Sequence, residues 1–160
     1  MRLAIAFACL CFPAKAFAQS ALSPADQGAA LRAAGFKQVG GQWKACEDPD
    51  TSSYTQGTID QVTDLNGDGR PEAFISEGSS FCYGMQGSGY FLAGKQADGS
   101  WKLITSGSGI LTPLATRGTG DWQDLEIGGP GICFAVARWN GTEYRFNRYE
   151  YEGKPCKPDE

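Results

Sequence analysis

A short helix followed by a small, mainly antiparallel β domain is the fold the sequence predicts. Three observations carry it. The 160 residues include 22 Gly and 8 Pro, and 12% are aromatic, which suits a loop-rich β protein better than a helical bundle. Short apolar runs are punctuated by the turn dipeptides Gly40-Gly41, Asp98-Gly99 and Asn140-Gly141. The links between these runs are too short for parallel crossovers, so neighbouring strands pair antiparallel. A chain of this length builds one core and is too small for a TIM barrel or a full propeller.

The first 18 residues read as a signal peptide. Arg2 gives a positive end, Leu3 to Phe12 is an apolar run too short to span a bilayer, and Ala16-Phe17-Ala18 forms a cleavage site before Gln19. A single β-rich domain over residues 19–160 is left, released to the periplasm or secreted. Losing Arg2 and Lys15 with the leader takes the formal net charge from −4 to −6. With no basic stripe and no membrane span, no nucleic acid is expected as a partner, and anionic lipid fits poorly.

In the mature chain Ser23-Pro24-Ala25-Asp26 is a helix start, with a capping serine and proline at the first helical position. Alanines carry the helix over 24–34 and Gly35 ends it. Strands are expected at 36–39 and 42–46, then at 54–63, 73–76, 81–83, 89–95 and 101–105. A weak, Gly-rich stretch covers 107–112, and further strands cover 124–127, 132–139 and 143–149.

Cys9 and Cys11 leave with the leader, so Cys46, Cys82, Cys133 and Cys156 remain. An even number in an exported chain implies two disulfides, with three possible pairings. Cys46–Cys82 and Cys133–Cys156 are favoured, because each closes a moderate loop within one half of the chain.

The two halves share a pattern: an acidic residue, a short apolar strand, a Gly-rich turn, a cysteine and an aromatic. The acidic anchors are Glu72 and Asp124, followed by Cys82-Tyr83 and Cys133-Phe134. Two related β units of about 50 residues are expected, neither able to bury its apolar face alone.

Asp64-Leu65-Asn66-Gly67-Asp68-Gly69-Arg70-Pro71-Glu72 is the sharpest motif. Oxygen ligands recur at positions 1, 3 and 5, glycine at position 6 permits a sharp turn, and a carbonyl at 7 and a carboxylate at 9 follow. This hard-oxygen set suits calcium. An EF-hand would need an acidic residue at position 12, where Ile75 stands, and its flanks would be helices rather than strands. The loop resembles those of the FG-GAP/VCBS repeats, the integrin-type propeller blades, over residues 59–76 and a few beyond. That resemblance implies a calcium site between strands, with Asp64, Asn66, Asp68, the Arg70 carbonyl and Glu72 as ligands. Glu72 stands where such loops more often have Asp, and Asn66 is a second departure. The corresponding stretch of the second half, Gly118-Thr119-Gly120-Asp121, lacks the ligands.

Without histidine, Ser-His-Asp, Cys-His and His-ligated metal catalysis are excluded. Ser79, Ser80 and Ser106 have no base in the sequence pattern. Gly128-Gly129-Pro130-Gly131 reads as a rigid turn. Carboxylate chemistry on glycans needs only two acids, and Glu77, Asp121, Asp124, Glu126 and Glu143 are available, with Trp122 and Trp139 as a sugar platform. The functional expectation is a non-catalytic exported domain, held in shape by a calcium loop. It would bind a protein, favoured to be basic, or a glycan through a face containing Trp122, Trp139 and Tyr144. A small carboxylate-based glycan hydrolase and a purely structural envelope protein are the alternatives.

Overall fold

The computed structural model describes residues 22–158. The signal peptide expected over 1–18 lies outside the described residues. The elements run α1 (Pro24–Ala33), β1 (Lys37–Val39), β2 (Gln42–Lys44), β3 (Thr55–Thr63), β4 (Glu72–Gly78) and α2 (Ser80–Tyr83). They continue with β5 (Ser88–Lys95), β6 (Trp101–Ser108), β7 (Ile110–Arg117), β8 (Gln123–Gly128), β9 (Phe134–Trp139), β10 (Tyr144–Tyr151) and β11 (Lys154–Pro155). The β1–β2 hairpin stands apart from two antiparallel meanders, ordered β3-β4-β5-β6 and β11-β10-β9-β8-β7. The expected helix-plus-antiparallel-β fold is the fold observed. No helix among the described residues is long and apolar enough to cross a membrane.

The four-stranded meander is the middle layer. Successive side chains on a strand face opposite ways, and β4 is buried on both faces over Glu72 to Ile75. Ala73 and Ile75 join Ala93 beneath Ala30, Leu31 and Ala34 of the helix region and Phe36. Phe74 points the other way and meets Leu92, Leu125 and Leu65 between the two sheets. The alanine-rich face of α1 suits this close approach, since only short side chains separate helix from sheet.

Gly109 alone links β6 to β7 and so carries the chain from one sheet to the next. Its φ is +123°, its N–H donates to the Ser88 carbonyl at 2.8 Å, and a Cβ there would stand 2.5 Å from the Gly128 carbonyl oxygen. Only glycine turns this corner. The stretch expected as one weak strand over 107–112 is therefore the junction of two, and β7 continues through Pro113 to Arg117. Proline is tolerated there because β7 is an edge strand.

Residues 81–83, expected as a strand, lie in the helical turn α2. Ser79 accepts the Cys82 N–H at 3.1 Å on its side chain and starts the turn, and Gly84 at φ +58° leaves it. Residues 132–133 precede β9 rather than belong to it. Both favoured disulfides are present: Cys46–Cys82, with Cα atoms 6.3 Å apart, and Cys133–Cys156, at 5.9 Å. Each meander carries one of Cys82 and Cys133 between its second and third strands, and each second strand holds a buried acid near its start: Glu72 is the first residue of β4, on the Phe74 face toward the second sheet, and Asp124 is the second residue of β8, facing outward. The cysteines of the shared pattern thus fall between the same pair of strands in each sheet, while its acidic anchors face opposite ways.

Asp26 ties α1 to the middle sheet through the Trp101 indole N–H at 3.0 Å and Lys95 at 2.9 Å. The Trp101 bond, with Lys95, holds its carboxyl down to about 2. On β8, Leu125 faces the inter-sheet core, so Asp124 faces outward. It is nonetheless fully buried, because Thr116, Arg138 and Arg148 close over it at 2.6–2.9 Å. Burial alone would raise its carboxyl, but Arg138, Thr116 and Arg148 outweigh burial and bring it to about 2. Both groups sit below their ordinary 3.8. The unfolded chain therefore binds more protons than the folded one between these values. The stability they contribute is complete above pH about 4 and is lost as pH falls toward 2. Thermal melts followed by circular dichroism should show the melting temperature dropping over that window, with Asp26→Asn flattening the fall. An unchanged slope in that variant would contradict this origin of acid sensitivity.

Candidate functional site

The acidic loop joins β3 to β4, and its side chains are turned onto its own backbone. Asp64 Oδ1 accepts the N–H groups of Gly67 (2.7 Å) and Asp68 (3.2 Å), and Oδ2 accepts that of Gly69 (2.8 Å). Asn66 Oδ1 also accepts the Asp68 N–H, and Asp68 Oδ1 accepts the Arg70 N–H at 2.8 Å. Asp68 is ion-paired with the Arg70 guanidinium. Gly67 and Gly69, at φ +76° and +83°, supply the left-handed conformations that let these amides converge.

Leu65 is the loop's one apolar residue, and it is fully buried between the two sheets. Its N–H donates to Glu72 Oε2 at 2.8 Å. Its carbonyl accepts the Gln123 N–H of β8 at 3.1 Å and Arg117 Nη1 at 3.3 Å. The loop is thus bound by backbone to the neighbouring sheet. Glu72 is 2% exposed. Burial pushes its carboxyl up to about 7; the Leu65 N–H pulls down, while Asp68 and Asp64 push up.

The five sequence-predicted ligands Asp64, Asn66, Asp68, Arg70 and Glu72 belong to one turn. Their donor chemistry, three carboxylates with an amide oxygen and a carbonyl, fits a hard divalent cation. Among the described residues no group of three or more Cys, Asp or Glu side chains is gathered as for a metal. Glu72 faces the Leu65 amide, and Asp68 faces Arg70.

The acid/base candidates separate in the same way. Glu77 is 1% exposed and is held by four donors. Oε1 takes the Ala45 N–H (3.0 Å) and the Tyr54 hydroxyl (3.1 Å), and Oε2 takes the Cys46 N–H (3.0 Å) and the Tyr83 hydroxyl (2.6 Å). It is a structural node beside the Cys46–Cys82 bridge. Desolvation first, then this carboxylate, pushes Tyr54 up to about 12. Asp124 is locked by its arginines, Glu143 pairs with Arg145 at the surface, and Asp121 is exposed. Ser79 is buried and donates to Asp48 at 2.5 Å, a bond absent from the sequence pattern. The aromatics of the expected contact face pack on one another. Trp122 stacks on Trp139 at 4.8 Å, and Tyr144 meets both edge-on and donates to the Gln123 carbonyl at 2.8 Å. Trp122 and Tyr144 also rest on the inter-sheet core.

Glu126, of the five, lines a cavity. It measures about 490 Å³ on the outer face of the five-stranded sheet, walled by Leu114, Thr116, Phe134, Glu150 and Tyr151. Glu126 is opposite Val136, Phe134 lies two residues earlier on β9, and Phe134 is opposite Glu150. Opposed residues share a face, so the two carboxylates lie on the Phe134 face from strands two apart and two residues out of step, a backbone separation of about 12 Å. Burial raises the Glu126 carboxyl and Glu150 raises it further. Glu150 is itself bound by Arg148 Nε at 2.6 Å. Sequence reading missed Glu150, since its position across Phe134 depends on a bulge between Phe146 and Arg148 in β10.

Replacing Glu77 by Gln substitutes an amide NH₂ for one of its acceptor oxygens and sets it against two donors. The expected loss is about 3 kcal/mol, read as a lower midpoint in urea at unchanged slope. A loss below about 1 kcal/mol, the worth of one ordinary hydrogen bond, would show that Glu77 is not the node described.

Comparison with protein-family models, with curated proteins and with solved structures finds no match for this chain.

Proposed function

We propose that this chain is an exported, non-catalytic binding domain whose two sheets are clasped by a calcium-binding loop. The observation that carries the reading is Leu65. A turn with the oxygen spacing of FG-GAP/VCBS-type loops inserts its one apolar residue between the sheets and hydrogen-bonds to the second through Gln123 and Arg117. Asp64, Asn66, Asp68, the Arg70 carbonyl and Glu72 hold the ion. Calcium supplies the positive charge that three neighbouring carboxylates otherwise find only in Arg70. Two disulfides suit the oxidising periplasm or extracellular space. The cavity beside Phe134 is the binding site offered to a protein or glycan partner.

Calorimetric titration of chelator-treated protein tests the clasp. Calcium should bind with measurable heat and raise the melting temperature. Stabilisation reaches about 2.7 kcal/mol when free calcium exceeds Kd a hundredfold. Asp68→Ala should abolish both effects. No heat and no shift at millimolar calcium would leave an ordinary acidic turn.

A second reading, a glycan hydrolase, is favoured by one observation: Glu126 and Glu150 flank an aromatic ring in a cavity, with Glu126 raised as a general acid would be. Turnover of a cell-wall glycan that is lost in both Glu126→Gln and Glu150→Gln would establish it in place of the binding reading. No turnover by the wild-type chain would remove it.

A further inference from the structure

The outer-face cavity has a definite chemical preference, and the argument for it rests on the binding reading above. Its volume of about 490 Å³ lies within the roughly 300–1,000 Å³ of small-ligand sites. Three carboxylates line it: Glu126, Glu150 and Glu152. The nearby arginines are already engaged. Arg138 holds Asp124 through two bonds, and Arg148 divides its donors among Asp124, Thr116, Asn147 and Glu150. Burial raises the Glu126 carboxyl and the neighbouring Glu150, itself paired with Arg148, raises it further.

The remaining walls suit a cation on an alkyl stem. Phe134 and Tyr151 stand 6.1 Å apart, tilted at 59°, and offer aromatic surface to a positive group. Leu114 and Ala115 give an apolar side against which methylenes can lie. An anion would meet three carboxylates. A neutral sugar would bring no positive charge to the three carboxylates.

We propose that this cavity binds an ammonium or guanidinium group, presented as a lysine or arginine side chain of a basic protein partner. A protein source is favoured over a free amine by the charge of the whole domain. The formal net charge is −4, and −6 without Arg2 and Lys15, so a basic protein is attracted over its full surface while a small amine feels mainly the cavity.

The test is calorimetry on the purified chain with four probes: arginine ethyl ester, spermidine, a peptide rich in lysine and arginine, and a neutral N-acetylglucosamine oligomer. The peptide should bind more tightly than either small amine, and more weakly as salt rises. Glu126→Gln should weaken it about tenfold or more. That variant removes a charge burial opposes, so its melting temperature should match or exceed the wild type, which separates lost binding from lost folding. Small amines binding as tightly as the peptide would overturn the protein source. Heat from none of the cations, or cation binding indifferent to Glu126→Gln, would overturn the site. Salt-independent binding of the oligomer, lost on Phe134→Ala, would also overturn the cation assignment yet leave the binding reading standing. Turnover of the oligomer would end both.

Discussion

The burial of Leu65 between the two sheets is the constraint that the rest of the molecule accommodates. A leucine placed there contributes about 2–3 kcal/mol from removed apolar surface, but only if its flanking polar backbone is satisfied. The loop achieves this in two directions. Inside the turn, Asp64 gathers three amides. Toward the sheets, Glu72 takes the Leu65 N–H while Gln123 and Arg117 donate to its carbonyl. Acidity in the loop is therefore a requirement of the turn itself. The cost is a buried Glu72 beside Asp64 and Asp68, which a divalent cation would relieve.

A second polar centre serves the opposite face of the middle sheet. Glu77 collects donors from the segment after β2, from Tyr54 and from Tyr83. Asp48 does the same for Thr51 and Ser79. Together with the Cys46–Cys82 bridge, these acids hold the segment after β2 in place. The five-stranded sheet uses the same device on its outer face, where Asp124 is closed over by Arg138 and Arg148. Glu77 and Asp124 thus organise their regions as buried carboxylates with several donors each, and breaking either set leaves a buried group without partners.

Local chemistry was legible in the sequence wherever it decided the outcome. Ser23-Pro24 started the helix, Asp98-Gly99 and Asn140-Gly141 turned hairpins, and a moderate loop closed within each half paired the cysteines. It was not legible where a distant partner decided. Phe81-Cys82-Tyr83 has strand-forming residues, but Ser79 caps a turn there, and the Cys46 bridge and Glu77 hold it. Glu77 and Asp124 read as candidate acids because sequence does not show the tyrosines and arginines that engage them. The pairing of Glu126 with Glu150 across Phe134 needed the sheet register and the β10 bulge, neither of which has a short-range signature.

The central claim is that the acidic loop couples the sheets and that calcium strengthens the coupling. The Gln123 amide reports on it most directly, because it belongs to the second sheet yet donates to Leu65 of the loop. Hydrogen exchange followed residue by residue, with calcium and with chelator, should show calcium slowing exchange at Gln123 together with Gly67 and Gly69. Exchange at Gln123 that is the same in both conditions, whatever happens inside the loop, would contradict the account.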